Sequence, residues 1–375
     1  MRHFIFARLG LAAGLLVVAT LRADDLIRVG QYGAFTGKDA AFGVSARKGA
    51  ILAFEEVNAA GGVLGRKVEF LTEDNQSKQG ESATIVKKFI ARDHVVAVLG
   101  GNASANSLEA APICQTAHIP MIAISSTDPK VTRMGDCIFR VCFIDPFQGA
   151  VLARFATDML KVRRVAVLTS IDSPYSVGLS RVFRERFTGD GGAIAAEQRY
   201  SEGDKDFRAQ LTAIRATGAD AILASGYYTE AALICKQARA LGLTVPIFGG
   251  DGWEAPELLA IGGPAVEGVY YSASYTSEST APEVVAFVSR FRARWNETPD
   301  SIAALGYDAA NLLVDGMKRA GTTDGGPLRA ALAATRNFPG VTGRTSIDAQ
   351  RNASKSAVII TVKDGRFAFV KSVEP

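Results

Sequence analysis

The chain of 375 residues is long enough for two domains, and its 48% hydrophobic and 21% charged residues are typical of a globular protein. Residues 1–23 contain three arginines and no acid, so the formal charge of +4 falls to +1 without them. A nearly neutral chain gives no electrostatic reason to expect binding to nucleic acid or to an anionic membrane.

The N-terminal segment is typical of a secretory signal peptide. Arg2 and Arg8 precede an uncharged, mainly apolar run at residues 9–21, and the small residue Ala23 follows. This run of 13 residues is shorter than the about 20 that a membrane helix needs. We therefore expect export to the periplasm with cleavage after about Ala23. An uncleaved N-terminal anchor is the alternative, and the absence of a cysteine at the cleavage position argues against a lipoprotein.

Strand and helix patterns alternate through the first half of the chain after this segment. Apolar and alternating runs predict strands, and apolar residues at helical spacing predict helices. The predicted strands are 27–31, 67–72, 95–99 and 121–124, and the predicted helices are 42–58, 82–91 and 107–117. Strands that alternate with helices indicate an α/β fold with a doubly wound, mostly parallel sheet.

The second half of the chain repeats this plan. Residues 94–101 resemble residues 219–226, and residues 118–125 resemble 244–250, both at an offset of about 125 positions. Two matches at one offset predict two similar lobes, although short apolar strands also resemble one another by composition alone.

Six loops follow the predicted strands and carry most of the chain's distinctive polar and aromatic residues. Ligands of open α/β sheets bind beyond the carboxyl ends of the strands, so we expect these loops to meet in a cleft. The loops are 33–43, 100–107, 125–128, 170–175, 226–230 and 249–253.

The loop residues suit a ligand that carries both a carboxylate and an ammonium group. Hydroxyls at Ser104, Ser125 and Thr127 can hold a carboxylate, the first of them next to a predicted helix N-terminus. Asp251, in the glycine-rich turn GGDGW, can hold an ammonium. Simple turn and capping chemistry is the alternative for residues 125–127 and for Asp251.

Aromatic residues in the same loops can form the pocket walls. Tyr175 and Tyr227 offer aromatic faces for apolar and cation–π contacts, as does Phe42. Packing at the end of a strand is the alternative for Tyr227, and core packing is the alternative for Phe42, which lies on the apolar face of its predicted helix.

Catalytic and metal-binding patterns are absent from the sequence. The glycines after the first strand have the wrong spacing for a dinucleotide site, and neither a GxxxxGK[ST] loop nor a GxSxG elbow occurs. No CxxC pair suggests zinc. We expect no catalytic residue, metal or cofactor; an exported α/β hydrolase is a distant alternative because the nucleophile elbow is missing.

The four cysteines allow disulfides in an exported protein. Cys137 and Cys142 lie on one predicted strand, 137–143, with an odd spacing that places them on opposite faces, so they should not pair with each other. A bond from Cys114 to either of them remains possible, whereas Cys235 lies in a helical pattern typical of a buried free thiol.

Four segments, in order, resemble one known family. Ile27–Gly37 (IRVGQYGAFTG), Asn58–Arg66 (NAAGGVLGR), Ile124–Thr127 (ISST) and Gly249–Trp253 (GGDGW) are similar to the periplasmic leucine/isoleucine/valine-binding proteins, the substrate-binding components of branched-chain amino acid ABC importers. The resemblance covers essentially the whole chain after residue 23.

The resemblance implies a type I periplasmic binding fold, with two doubly wound lobes joined by three crossover strands. The crossovers are expected near Pro146, Ser274 and Asp348, so that residues 24–145 with 275–347 form one lobe and 146–274 with 348–375 the other. The implied partners are an amino acid and the membrane permease subunits of an ABC transporter, with no nucleic acid, and the implied state is a monomer that closes about its hinge.

The resemblance also assigns roles to residues of this chain. It implies that Ser104 and Thr127 bind the ligand carboxylate and that the backbone of Ser125 contacts the ligand. It places Asp251, Ser125 and Tyr227 beside the ligand ammonium. The implied pocket walls are Phe42, Tyr175, Tyr227, Trp253 and Ile302.

Two positions depart from the family pattern. The ammonium partner is Asp251, where the branched-chain binders carry glutamate, and Ile302 stands where the family can carry a large aromatic residue. The smaller side chain leaves room for a larger ligand. We therefore expect a hydrophobic or branched-chain amino acid. The alternative is an amide, an aromatic acid or another small organic acid, although Asp251 disfavours a purely anionic ligand.

Overall fold

The computed structural model describes residues 26–374, so the predicted signal peptide at residues 1–23 and its cleavage after Ala23 lie outside the described residues. The strands are β1 (Leu26–Gly33), β2 (Lys67–Asp74), β3 (Ala97–Gly100), β4 (Met121–Ala123), β5 (Ile138–Arg140), β6 (Arg164–Ser170), β7 (Ala193–Tyr200), β8 (Ala221–Ser225), β9 (Ile247–Gly249), β10 (Tyr270–Ala273), β11 (Phe338–Gly340), β12 (Gly343–Ile347), β13 (Ala353–Ser354), β14 (Ala357–Lys363) and β15 (Arg366–Val373).

The helices alternate with these strands through most of the chain. They are α1 (Ala40–Ala59), α2 (Glu81–Ala91), α3 (Ser104–Thr116), α4 (Lys130–Arg133), α5 (Asp145–Arg154), α6 (Pro174–Gly189), α7 (Arg208–Ala216), α8 (Tyr228–Ala240), α9 (Pro256–Gly262), α10 (Pro282–Trp295), α11 (Ser301–Ala320) and α12 (Gly325–Ala333). In the described part of the chain, none of these helices has the length and apolar character that crossing a membrane requires.

Two large sheets organise the fold. The first has the strand order β2-β1-β3-β4-β5, and all its neighbouring pairs are parallel. The second has the order β15-β14-β10-β9-β8-β6-β7, in which β14 alone runs antiparallel to the other strands. The strand order reverses beside β1 in the first sheet and beside β6 in the second, so both contain the switch point at which α/β proteins bind ligands. The doubly wound α/β prediction is confirmed.

The internal repeat has a structural counterpart. The similar segments correspond to β3 with β8 and β4 with β9, and each pair occupies the same position relative to the switch point of its own sheet. A small third sheet, in the order β11-β12-β13, is antiparallel.

The chain passes between the two large sheets three times. It leaves the first sheet after β5 and enters the second. After β10 it returns to the side of the first sheet, where α11 packs against α1. It enters the second sheet again at β14. In the α1–α11 contact, Asp300 accepts a hydrogen bond from Ser45 Oγ, and Tyr307 Oη donates to Glu56 at 2.7 Å. The exact lobe boundaries near residues 146, 274 and 348 stay a prediction.

One predicted strand is shorter than expected. Residues 137–143 were predicted as one regular strand, whereas β5 contains only Ile138–Arg140, and Cys137 and Cys142 flank it. The argument from opposite faces of one strand therefore does not apply to these two cysteines. Cys114, Cys137, Cys142 and Cys235 are all buried and free in the structure.

Candidate ligand-binding site

The loops after the strands of both sheets meet at a small cavity. Nearly all of its lining residues lie in the loops after strands or at the starts of the helices that follow them, and Ile302 lies near the start of α11. The lining residues are Phe42, Asn102, Ser104, Ser125, Thr127, Tyr175, Tyr227, Asp251, Gly252 and Ile302. The structure thus brings together eight of the nine side chains that the sequence singled out, although they lie as far as 260 positions apart in the chain.

Hydroxyl and amide groups form one wall of the cavity. Ser104 is the first residue of α3, and its Oγ accepts a hydrogen bond from the backbone N–H of Asp128 at 3.2 Å. The amide of Asn102 donates to Ser125 Oγ at 3.1 Å. Thr127 Oγ1 is buried and has no hydrogen-bond partner among the described residues, so it is free to bind a polar atom in the cavity.

A buried arginine fixes the loop that carries Ser125 and Thr127. The guanidinium of Arg140, fully buried, donates to the carbonyl of Ser126 and to the carbonyl of Asp128 at 2.8 Å. The hydroxyl of Ser126 points inward and donates to the Gly101 carbonyl at 2.7 Å. Ser126 is therefore a structural residue of this loop, and the hydroxyls on either side of it line the cavity.

Asp251 lies on the opposite wall. Among the described residues that line the cavity, it is the only Asp, Glu, Lys, Arg or His. Its Oδ1 accepts a hydrogen bond from Gln148 Nε2 at 2.8 Å, and its side chain is only 7% exposed. Burial raises the pKa of Asp251 to about 6, although the hydrogen bond from Gln148 opposes that rise. A cationic group in the cavity would favour the ionised carboxylate.

The glycines around Asp251 allow the close packing of this turn. A Cβ atom at Gly249 would lie 2.2 Å from the indole of Trp253, and one at Gly250 would lie 2.3 Å from Tyr175 Oη. No side chain fits at these distances, so the turn requires glycine at both positions. The backbone N–H of Gly252 donates to Tyr175 Oη at 3.2 Å, which fixes the turn against the aromatic wall.

Aromatic rings close the cavity on a third side. Tyr175 and Tyr227 are stacked with ring centroids 5.5 Å apart, and Phe42 meets the edge of Tyr227 at 5.7 Å. Phe42 is 3% exposed and lines the cavity, so the core-packing and pocket-wall interpretations of this residue both describe part of its environment. Ile302, near the start of α11, completes the apolar surface.

Trp253, which the sequence placed in the pocket wall, is not among the residues that line this cavity. Asp251–Trp253 forms a short 3-10 turn, and the indole turns back toward the sheet. Its Nε1 donates to the carbonyl of Ala224 at 3.1 Å, and the side chain is fully buried. Trp253 therefore supports the Asp251 turn from behind.

Three other residues at the site were not singled out from the sequence. Asn102 and Gly252 line the cavity and lie in loops that the sequence did identify, so their position after a strand was the available signal. Gln148 lies in α5, and no local pattern connects it to Asp251.

The two halves of the molecule touch beside the cavity. The phenol of Tyr228 donates to the backbone carbonyl of Lys38 at 2.6 Å, and Lys38 Nζ lies 2.9 Å from a carboxylate oxygen of Glu202. Lys38 precedes the helix α1 beside the first sheet, whereas Tyr228 and Glu202 belong to segments beside the second sheet. These contacts join the two walls directly across the cleft.

Known proteins resemble this chain over nearly its whole length. Residues 26–366 match the family described as periplasmic binding protein. A leucine-, isoleucine-, valine-, threonine- and alanine-binding protein from Pseudomonas aeruginosa is 30% identical over 328 residues, 87% of each chain.

Two solved structures are similar in both sequence and fold. A leucine-binding protein LivK from Thermotoga maritima is 40% identical with a TM-score of 0.90, covering 93% of this chain and 99% of that one. The substrate-binding protein LivJ of a branched-chain amino acid transporter from Streptococcus pneumoniae, in complex with isoleucine, is 34% identical with a TM-score of 0.89, covering 93% and 100%.

Proposed function

Since the chain belongs to the periplasmic binding protein family, we propose that it is the substrate-binding protein of an ABC importer and that it binds a hydrophobic amino acid between its two lobes. The three relatives named above are all described as binding leucine or isoleucine, and one of them as the substrate-binding protein of a branched-chain amino acid transporter. A permease in the membrane is then the partner that receives the ligand, and the protein itself performs no reaction.

The observation that carries this proposal is the charge pattern of the cavity. Asp251 is its single charged side chain, and it faces a wall of neutral hydroxyl and amide groups. A zwitterion satisfies both walls, because its ammonium meets the carboxylate while its carboxylate meets donors. A purely anionic ligand would leave Asp251 beside a like charge in a buried site, which is unfavourable.

On this proposal the carboxylate of the ligand lies against Ser104, Ser125 and Thr127. Thr127 Oγ1 has an unused hydrogen-bonding capacity there, and Ser104 begins a helix of 13 residues whose N-terminus favours an anion. The ammonium lies against Asp251, with the backbone of Ser125 and the phenol of Tyr227 beside it. Each such charge-assisted hydrogen bond contributes about 1.5–3 kcal/mol.

The ligand's side chain then faces the apolar part of the cavity. Phe42, Tyr175 and Ile302 present hydrocarbon and ring surface with no charge to pair, so burial of an apolar side chain is favoured by about 25 cal/mol per Å² of surface removed from water. We propose that closure of the lobes on the ligand follows from its contacts with both walls, since a ligand shifts a conformational equilibrium only through its differential affinity for the two states.

A thermal-shift series with one carbon skeleton tests the proposal. Leucine, 4-methylpentanoic acid and 3-methylbutylamine share an apolar body and differ in their charged groups. We expect leucine to raise the melting temperature, because a ligand at 100 times its Kd adds about 2.7 kcal/mol of stability. We expect 4-methylpentanoic acid to have little effect, and any shift with 3-methylbutylamine to persist when Asp251 is replaced by asparagine. The other amino acids, acetamide and benzoate complete the panel.

The outcome that contradicts the proposal is a shift with 4-methylpentanoic acid or benzoate and none with any amino acid. Asp251→Asn provides the matched variant, because it keeps the shape of the side chain and removes its charge. We expect it to weaken leucine binding by about 2–5 kcal/mol, as for a buried charge left without its partner.

A further inference from the structure

A second cavity, larger than the first, opens between the two halves of the molecule. Its volume is about 670 Å³, within the range of about 300–1,000 Å³ that is typical of small-molecule sites. One side is formed by the start of α1 and by the loop at 297–300, and the other by residues 254–259 and the β14–β15 hairpin. It shares no lining residue with the cavity around Asp251.

Two buried side-chain oxygen atoms in its lining have no hydrogen-bond partner among the described residues. Glu254 is 6% exposed; its Oε1 accepts from the backbone N–H of Ser301 at 2.8 Å, whereas Oε2 has no partner among the described residues. Tyr275 is 4% exposed, and its hydroxyl also has none. Buried polar atoms are nearly always paired, so these two indicate an interaction that the protein alone does not complete.

The lining carries more negative than positive side chains. Its acids are Glu254, Glu257, Glu278, Glu297 and Asp300, and its bases are Lys48 and Arg366. Lys48 is already paired with Glu297. Burial raises the pKa of Glu254 well above its ordinary value, and the neighbouring charge of Asp300 adds to that rise. A positive charge in the cavity would relieve both effects.

Aromatic side chains form part of the remaining wall. Tyr271 and Phe291 are buried at the base, and the ring of Phe369 is 39% exposed at the rim. Rings of this kind accept apolar surface, and their faces also attract cations. The lining thus combines apolar surface with one deeply buried carboxylate, that of Glu254.

We propose that this second cavity binds a small organic cation, an ammonium group carried on an apolar or aromatic body, with Glu254 as its anionic partner and the Tyr275 hydroxyl as an additional acceptor. The cation lies against Glu254 Oε2, and the body lies between the aromatic residues of the wall. The cavity around Asp251 has one acid; this one has five acids against two bases, and Lys48 is already paired with Glu297, so a cation without a carboxylate is favoured here.

Calorimetric titration with 2-phenylethylamine tests the proposal, and 2-phenylethanol and phenylacetate serve as neutral and anionic ligands with the same ring. We expect the amine to bind at least tenfold more tightly than either control compound, both to the wild-type protein and to the Asp251→Asn variant. Equal affinity for amine and alcohol would overturn the proposal, as would loss of amine binding in Asp251→Asn, which would place the amine in the other cavity.

Three variants locate the amine. Glu254→Gln should weaken its binding by tenfold or more, and Tyr275→Phe by a few-fold. Phe369→Ala, at a position that is 39% exposed, should also weaken it by a few-fold. Val285→Ala removes an exposed apolar side chain outside the cavity and should leave amine binding unchanged. Amine affinity that is unaffected by Glu254→Gln and Phe369→Ala would overturn the proposal.

Discussion

The amide of Gln148 and the carboxylate of Asp251 form a buried hydrogen bond of 2.8 Å, although the two residues are 103 positions apart in the chain. Gln148 is fully buried in α5, and its Oε1 lies close to the backbone of Gly250. The amide therefore contacts both the acid and the turn that carries it. It holds the carboxylate in one orientation and stabilises its ionised form.

Replacing Gln148 by leucine should weaken amino acid binding without removing any contact to the ligand itself. The hydrogen bond to a charged acceptor contributes about 1.5–3 kcal/mol, so we expect Kd to rise by roughly 10- to 100-fold at pH 7. The pKa of Asp251 should also rise, because the amide lowers it in the wild type. Titration calorimetry at several pH values measures both effects. A lower melting temperature with an unchanged pH profile would mean that Gln148 acts only in packing.

Amino acid affinity should fall as the pH drops through the pKa of Asp251. Burial raises that pKa to about 6 in the ligand-free protein, and the ammonium of the ligand requires the ionised carboxylate. Protons and ligand therefore compete for one group, and we expect Kd to rise about tenfold per pH unit below pH 6. Calorimetry between pH 4.5 and 8 gives the profile. Asp251→Asn should bind weakly at every pH, and a wild-type affinity that is constant over this range would contradict the role of Asp251.

The same acid should reduce the stability of the ligand-free protein at neutral pH. Its pKa is raised from 3.8 to about 6, so the folded state binds a proton more tightly than the unfolded state does. That contribution to stability is fully present below about pH 4 and is lost as the pH rises through 6. A rise in pKa of this size corresponds to about 3 kcal/mol, so Asp251→Asn should raise the free energy of unfolding at pH 7 by about 1–3 kcal/mol.

Urea unfolding of ligand-free protein at pH 4 and pH 7 measures this difference. Glu185→Gln is the control, because its carboxylate is 56% exposed and pairs only with Arg181 on the surface, and it should change stability by less than about 0.5 kcal/mol. Destabilisation by Asp251→Asn at pH 7 would show that the carboxylate is well solvated or paired in the free protein.

The sequence predicted most of the site because the site consists of loops after strands. Buried strands such as 95–99 and 245–248 are recognisable from their apolar runs, and in a parallel sheet their carboxyl ends face the same edge. Residues just beyond them, such as Ser104, Tyr227 and Asp251, could therefore be grouped before any coordinates were known. The fold class followed from the same alternation.

The parts that the sequence did not predict depend on side-chain direction and on distant contacts. Trp253 lies two residues after Asp251, yet the 3-10 turn directs its indole into the sheet and away from the cavity. Gln148 and Arg140 act on loops far from them in the chain, and local periodicity contains no information on such pairs.

The hydrogen bond from Tyr228 to the Lys38 carbonyl should slow ligand release. It measures 2.6 Å and connects the two halves of the molecule beside the cavity, so opening the cleft breaks it. Tyr228→Phe removes this bond and keeps the ring that contacts Phe42. A neutral hydrogen bond contributes about 0.5–1.5 kcal/mol, so we expect Kd to rise roughly 2- to 10-fold. The change should lie in the dissociation rate, because this contact across the cleft must break before the ligand can leave.

Lys38→Met tests the neighbouring ion pair to Glu202 in the same way, and stopped-flow fluorescence measures both rates. Arg181→Met is the matched control, since it removes a surface ion pair of similar length, to Glu185, that lies within one helix and does not cross the cleft. We expect Tyr228→Phe and Lys38→Met to speed dissociation and Arg181→Met to leave it unchanged. If the three variants release the ligand at the same rate, these contacts do not stabilise the closed form, and closure depends on the ligand's own contacts with the two walls.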